Sequence, residues 1–126
     1  DSRSVTAEVA GPAALLVAKA HKIHDRLHSD RPGRVEDKDA ADVLRLMQTT
    51  RPAEVGARLE ALGGDPMAGP VTATAIAHLE HLFSHRGRPG VEMAVRAMRL
   101  AAPADRVEAI CTTYTASLLA AARPTP

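Results

Sequence analysis

The chain has almost no aromatic surface: of its 126 residues none is Trp, and Phe83 and Tyr114 are its single phenylalanine and single tyrosine. That scarcity removes the stacking platforms on which RNA and single-strand binders lay their bases. An excess of either charge is also lacking, because 16 basic and 15 acidic residues leave a formal charge of +1. A broad nucleic-acid or anionic-membrane surface needs a net basic face, so no such surface is expected. Cys111 is the single cysteine, which excludes an intramolecular disulfide and a cysteine-based zinc site. No apolar run is long enough to span a bilayer and no signal peptide opens the sequence, so the expected setting is cytoplasmic. The phosphate loop Gly-x-x-x-x-Gly-Lys, the dinucleotide motif Gly-x-Gly-x-x-Gly and the nucleophile elbow Gly-x-Ser-x-Gly are all absent.

What is present is a run of apolar periodicities close to 3.6 residues, punctuated by Pro and Gly. With 45% hydrophobic and 25% charged residues, the composition predicts one soluble domain over 1–126 with a sizeable core. Gly11-Pro12 opens a first helix that ends in the polar loop from Ser29 to Arg34. A second runs from about Lys38 to Gln48, and a third from Pro52 to Gly63-Gly64. The fourth covers about Val71 to His85, the fifth buries Val91, Ala94, Val95 and Met98 with Arg96 and Arg99 facing away, and the last extends from Pro103 to about Ala122. The fold class expected is all-α, a single-domain bundle of about six helices with a short N-terminal extended segment at Ser4-Val5-Thr6-Ala7-Glu8-Val9. A lone strand and a start at Asp1 in place of Met lead us to expect the C-terminal fragment of a larger protein. Leu16, Ile23, Val43, Leu46, Ile76, Phe83, Met98 and Tyr114 are expected in one core. Cys111 shares a helical stripe with Val107, Tyr114 and Leu118 and is expected to pack there as an inert thiol.

Two charged rows stand out. At about 100° per residue, Ala20, Ile23 and Leu27 cluster about Leu16, and Lys19, Lys22 and Arg26 line one flank of that stripe. On the second helix Asp39 and Asp42, one turn apart, run along the edge of the face formed by Val43, Leu46 and Met47. A carboxylate at such an edge is partly desolvated and takes a cation, a backbone donor or a metal as partner. If the first two helices pack as an antiparallel pair, Asp39 or Asp42 falls within salt-bridge reach of Lys19, Lys22 or Arg26. A structural explanation is available for the same residues: Asp37 has the character of an N-cap, Asp39 sits in the first turn where the helix dipole favours an anion, and ion-pair lattices between helices are common.

All six histidines form two sets of identical spacing, His21, His24, His28 and His78, His81, His85. Residues three or four apart on a helix can chelate one metal ion. The second set, however, points away from the Ile76-Leu79-Phe83 stripe toward solvent and is not expected to converge with the first. No Glu-x-x-His or His-Glu-x-x-His motif accompanies either set, so a solvated face is expected and no metal site. Pro52 to Leu62 offers half of a helix-turn-helix without a recognition helix.

The order of a short strand, Ala14-Leu15-Leu16 leading to Lys19, a turn or two ending at Arg26, then Lys38-Asp39-Ala40-Ala41-Asp42-Val43 resembles the C-terminal half of nucleotidyltransferase-like proteins of the AbiEii abortive-infection type. The resemblance covers about Val9 to Leu46. It implies a helical part packed beside a polymerase-β-like palm, with Lys19 contacting nucleotide phosphates, Asp39 supporting the catalytic centre, and Asp42 and Arg26 holding the geometry. Phosphoryl transfer rests on positioning and charge stabilisation, so such residues suit it. The palm's Gly-Ser motif is missing, since no Gly-Ser occurs in the chain. The chain alone therefore carries no catalytic residue, and Mg²⁺ and a nucleoside triphosphate enter only with an upstream nucleotidyltransferase domain as partner. The reading that follows is a helical companion domain supplying nucleotide-phosphate contacts. The alternative is a non-enzymatic helical protein-interaction domain whose Lys/Arg and Asp rows lock helices together.

Overall fold

The computed structural model describes residues 11–29 and 37–123. Six α-helices make up the bundle: α1 (Pro12–Leu27), α2 (Asp37–Thr49), α3 (Pro52–Gly63), α4 (Gly69–Phe83), α5 (Pro89–Ala97) and α6 (Ala104–Ala122). No strand occurs among the described residues. The extended segment expected at Ser4 to Val9 lies outside them.

Proline sets most of the helix starts. It occupies the first or second position of α1, α3, α4 and α5, and Pro103 is the N-cap of α6. There its fixed φ is already helical and its missing N–H removes a donor that would have no intrahelical partner. None of these five helices has a side-chain cap, so proline replaces the usual Ser or Asp signal. The fourth helix begins at Gly69, two residues earlier than expected, because Asp65 Oδ1 accepts hydrogen bonds from the N–H groups of Met67 (2.7 Å) and Ala68 (3.0 Å) and turns the chain into it. It ends at Phe83, two residues before His85.

One core joins all six helices. Leu16, Ile23, Val43, Ile76, Phe83 and Tyr114 are buried in it as expected, whereas Leu46 and Met98 pack at its margin, partly exposed. Cys111 is fully buried beside Val107 and Leu118, and burial pushes its thiol up to about 11. The core's one tyrosine keeps its hydroxyl paired: Thr50 Oγ1 lies 2.6 Å from Tyr114 Oη and tethers the end of α2 to α6.

Gly56 lets the backbones of α3 and α6 approach closely. A Cβ at Gly56 would stand 2.6 Å from both Ala121 Cβ and the Leu118 carbonyl oxygen, while one at Gly63 would meet nothing within 4 Å. Gly56→Ala is therefore expected to destabilise the protein by about 1–3 kcal/mol through overpacking. Gly63→Ala, free of that clash, is expected to leave stability unchanged or raise it by about 0.4–1 kcal/mol. Denaturant unfolding of the two variants checks the pair.

Candidate functional site: the charged seam between the first two helices

Helical spacing places Lys19, Lys22 and Arg26 on one flank of α1 and Asp39 and Asp42 one turn apart on α2, and the structure brings the two rows together. Asp39 is 2% exposed. Its Oδ1 lies 3.1 Å from Lys19 Nζ and 3.3 Å from Lys22 Nζ. Its Oδ2 is fully buried, makes no hydrogen bond, and sits 3.6 Å from Arg26 Nε, inside ion-pair range but beyond hydrogen-bond length. Lys19 Nζ also donates to Asp42 Oδ2 at 2.8 Å. One ammonium thus bridges two carboxylates, and one buried carboxylate draws three cations.

The electrostatics follow from those distances. The hydrogen bond from Lys19 holds the Asp42 carboxyl below its usual range; partial burial opposes this, and the charges of Lys19, Lys38 and Arg45 add to it. The Lys19 ammonium is correspondingly held above its ordinary value, first by its bond to Asp42, against desolvation, and then by Asp39. All four residues singled out from the sequence, Lys19, Arg26, Asp39 and Asp42, meet in this seam.

Asp37 departs from the expectation that it acts as an N-cap. Its carboxylate accepts two hydrogen bonds from Arg96, from Nε at 3.2 Å and from Nη2 at 3.0 Å, a bidentate clamp between α2 and α5. Arg96 therefore does not simply face away from the bundle. Two further ion pairs tie a loop and a helix end to the bundle: Arg86 of the α4–α5 connection with Glu108 of α6 at 3.1 Å, and Arg123 at the cap of α6 with Glu80 of α4 at 3.0 Å.

The histidines need a larger correction. His78 does not face solvent alone: its ring stacks on His24 of α1, centroids 3.7 Å apart and planes 15° from parallel, and meets His21 edge-on at 5.2 Å. The two sets do converge at this one position, because α1 packs along the flank of α4 that carries Val71 and His78. His81 and His85 remain exposed. Among the described residues no group of three or more His, Cys, Asp or Glu is placed to hold a metal ion.

A cleft that periodicity did not reveal lies where the start of α1 meets the α2–α3 corner, lined by Gly11, Ala13, Thr49, Thr50, Arg51, Glu54 and Arg58. The sequence signal was the Thr-Thr-Arg-Pro junction, which marks the corner without indicating that α1 begins beside it.

Because Lys19 holds Asp42 in its ionised form, that contribution to stability is fully present above the unfolded carboxylate value near 3.8 and is lost as pH falls through the lower folded value. Asp42→Asn is expected to lose this portion of the acid limb of the stability profile. Asp39→Ala leaves Lys19, Lys22 and Arg26 facing one another and is expected to cost about 1–3 kcal/mol, below the cost for fully buried pairs because the cations reach solvent. Denaturant midpoints collected from pH 2 to pH 7 test both.

No family model matches the chain, no curated protein matches it, and no solved structure matches it.

Proposed function

We propose that this chain is a non-enzymatic helical interaction domain in which the charged rows of α1 and α2 serve as scaffold. The observation that carries this reading is the mutual use of the four candidate residues. Lys19 is held between Asp39 and Asp42, and Arg26 lies against Asp39. A nucleotide phosphate approaching Lys19 would have to displace two carboxylates, one of them 2% exposed. Supporting the interaction role, Leu15 and Val71 are each half-exposed on helix surfaces, and Leu15 flanks a groove shared with Leu46, Arg45 and Thr49. Apolar side chains rimmed by charge are the usual composition of a protein-contacting surface. No helix among the described residues is long and apolar enough to cross a membrane.

A second reading keeps the helical companion of a nucleotidyltransferase palm, and one observation favours it: cations exceed carboxylates in the seam. Lys19, Lys22 and Arg26 face Asp39 and Asp42, and Lys38 and Arg45 act on Asp42 as well. Lys22, Lys38 and Arg45 are exposed, so in that reading they would meet the phosphates while Lys19 sets their base. Mg²⁺ and the nucleoside triphosphate would then be shared with an upstream palm domain.

Lys19→Met keeps the aliphatic stem and removes the cation. The scaffold reading expects a loss of stability on the order of 1–3 kcal/mol, with no Mg²⁺-nucleoside triphosphate binding by the parent chain in calorimetry. Nucleotide binding by the parent chain that is lost in Lys22→Met and Arg45→Met, with their stability retained, would replace the scaffold reading with the companion one.

A further inference from the structure

The flank of α1 opposite the cation row carries His21, His24 and, at the helix C-cap, His28. Each has a specific contact. His21 Nε2 lies 3.0 Å from the Val71 carbonyl oxygen of α4, which fixes the proton on that nitrogen, since a carbonyl can only accept. His28 Nδ1 likewise donates to the His24 carbonyl at 2.9 Å. His24 is packed on both faces, by His78 at 3.7 Å and by His28 at 4.2 Å between centroids. The result is a chain of four imidazoles, His21 to His78 to His24 to His28, with His78 from α4 and the others from α1 and its cap.

From this geometry we propose that the histidine seam is a proton-sensitive latch between α1 and α4, closed when the rings are neutral and released as protons accumulate on them. Two neutral imidazoles stack without penalty, and one proton on the pair is tolerated because a cation can lie over a neutral ring. A second proton places two like charges at 3.7 Å in a partly desolvated position, where their repulsion is far stronger than in water. His21, 5.2 Å from His78, adds to it on taking a proton at Nδ1. The groups that act on His78 are His24, His21, His28 and Asp25, all from α1 and its cap, and Asp25 is the one that favours the charged form. A single exposed carboxylate does not neutralise four imidazolium groups.

Desolvation, with the neighbouring histidines adding to it, holds His78 below the ordinary value near 6.5. The sign follows directly. The opened seam binds protons more readily than the closed one, so the latch is fully effective above about pH 6.5 and weakens as pH falls toward the lower closed-state value. Opening that takes up one proton becomes more favourable by up to about tenfold per pH unit across that window. The release is directional, because the Lys19 to Asp42 tie on the other flank of α1 stays charged there. Acid therefore frees α1 from α4 while leaving it attached to α2.

Amide hydrogen exchange on the full chain between pH 7.5 and pH 5.0, corrected for intrinsic rates, is the test. Protection is expected to fall in α1 and the first half of α4 while α3 and α6 keep theirs. His78→Phe, which retains a flat ring over His24 but takes up no proton, is expected to reduce that pH dependence by about tenfold per pH unit for the proton it removes. His81→Phe, an exposed position on the same helix, is expected to leave it unchanged. Should His78→Phe fail to fold, proton NMR titration of the parent chain replaces it, with the His78 ring expected to titrate below the ordinary histidine value. Equal loss of protection in all six helices, a pH response unaltered in His78→Phe, or normal titration of His78 would each overturn the latch.

Discussion

A carboxylate carried into a helical core has to bring its countercharges with it, and Asp39 is where this bundle meets that requirement. Desolvating an isolated anion costs several kcal/mol even after relaxation, so the side chain at 2% exposure is tolerable only because Lys19, Lys22 and Arg26 surround it. The pairing adds little net stability compared with an apolar side chain of the same size. Its effect is on geometry. A row spaced i, i+3, i+7 on α1 meets a pair spaced i, i+3 on α2 in one register, and sliding either helix by a turn would leave a charge buried without a partner. The apolar stripes of Leu16, Ala20 and Ile23 against Val43 and Met47 would tolerate such a slide far better, since hydrophobic contact has no preferred partner.

The second helix is tied by polar contacts at both ends as well as along its length. Asp37 is clamped by Arg96 of α5, Asp39 and Asp42 hold α1, and Thr50 just beyond its last turn meets Tyr114 of α6. Three neighbours are thus fixed to one 13-residue helix by contacts that have direction and length. Hydrophobic burial supplies the driving force for collapse, and these contacts select among the ways the helices could collapse. The one buried hydroxyl pair and the clamps lie where apolar packing alone is least discriminating, at the helix ends.

Periodicity and proline position made the six helices, most of the core and the Lys19 to Asp39 and Asp42 ties legible in the sequence, because each depends on residues in one helix or in two consecutive ones. What was not legible depends on which distant helix covers a given face. Asp37 has the residue type and position of an N-cap, and its partner Arg96 lies 59 residues away, beyond any local pattern. His78 is correctly placed off the core stripe of α4 by a rotation of about 100° per residue, yet that position meets solvent only if nothing packs there, and His21 and His24 of α1 do. Leu46 and Met98 share the periodicity of core residues but sit near the ends of α2 and α5, where they are only partly covered. The resemblance to a palm-associated domain rested on residues that also suffice to build an ion-paired helix pair, with ammonium-to-carboxylate distances of 2.8 and 3.1 Å.

The two flanks of α1 are held by different chemistry, and that difference is itself a structural property. On one side, Lys19, Lys22 and Arg26 face carboxylates, and the Lys19 to Asp42 pair, its ammonium held high and its carboxyl held low, keeps its charges across the physiological range. On the other side, imidazoles meet imidazoles, the only side chains whose ordinary protonation falls within that range. The apolar stripe between them, Leu16, Ala20 and Ile23, is buried. In the proposed latch, a change in proton concentration therefore acts on the α4 side of the helix and leaves the α2 side tied. The six histidines of the 126-residue chain all lie on, or just past the ends of, the two helices that meet at that seam.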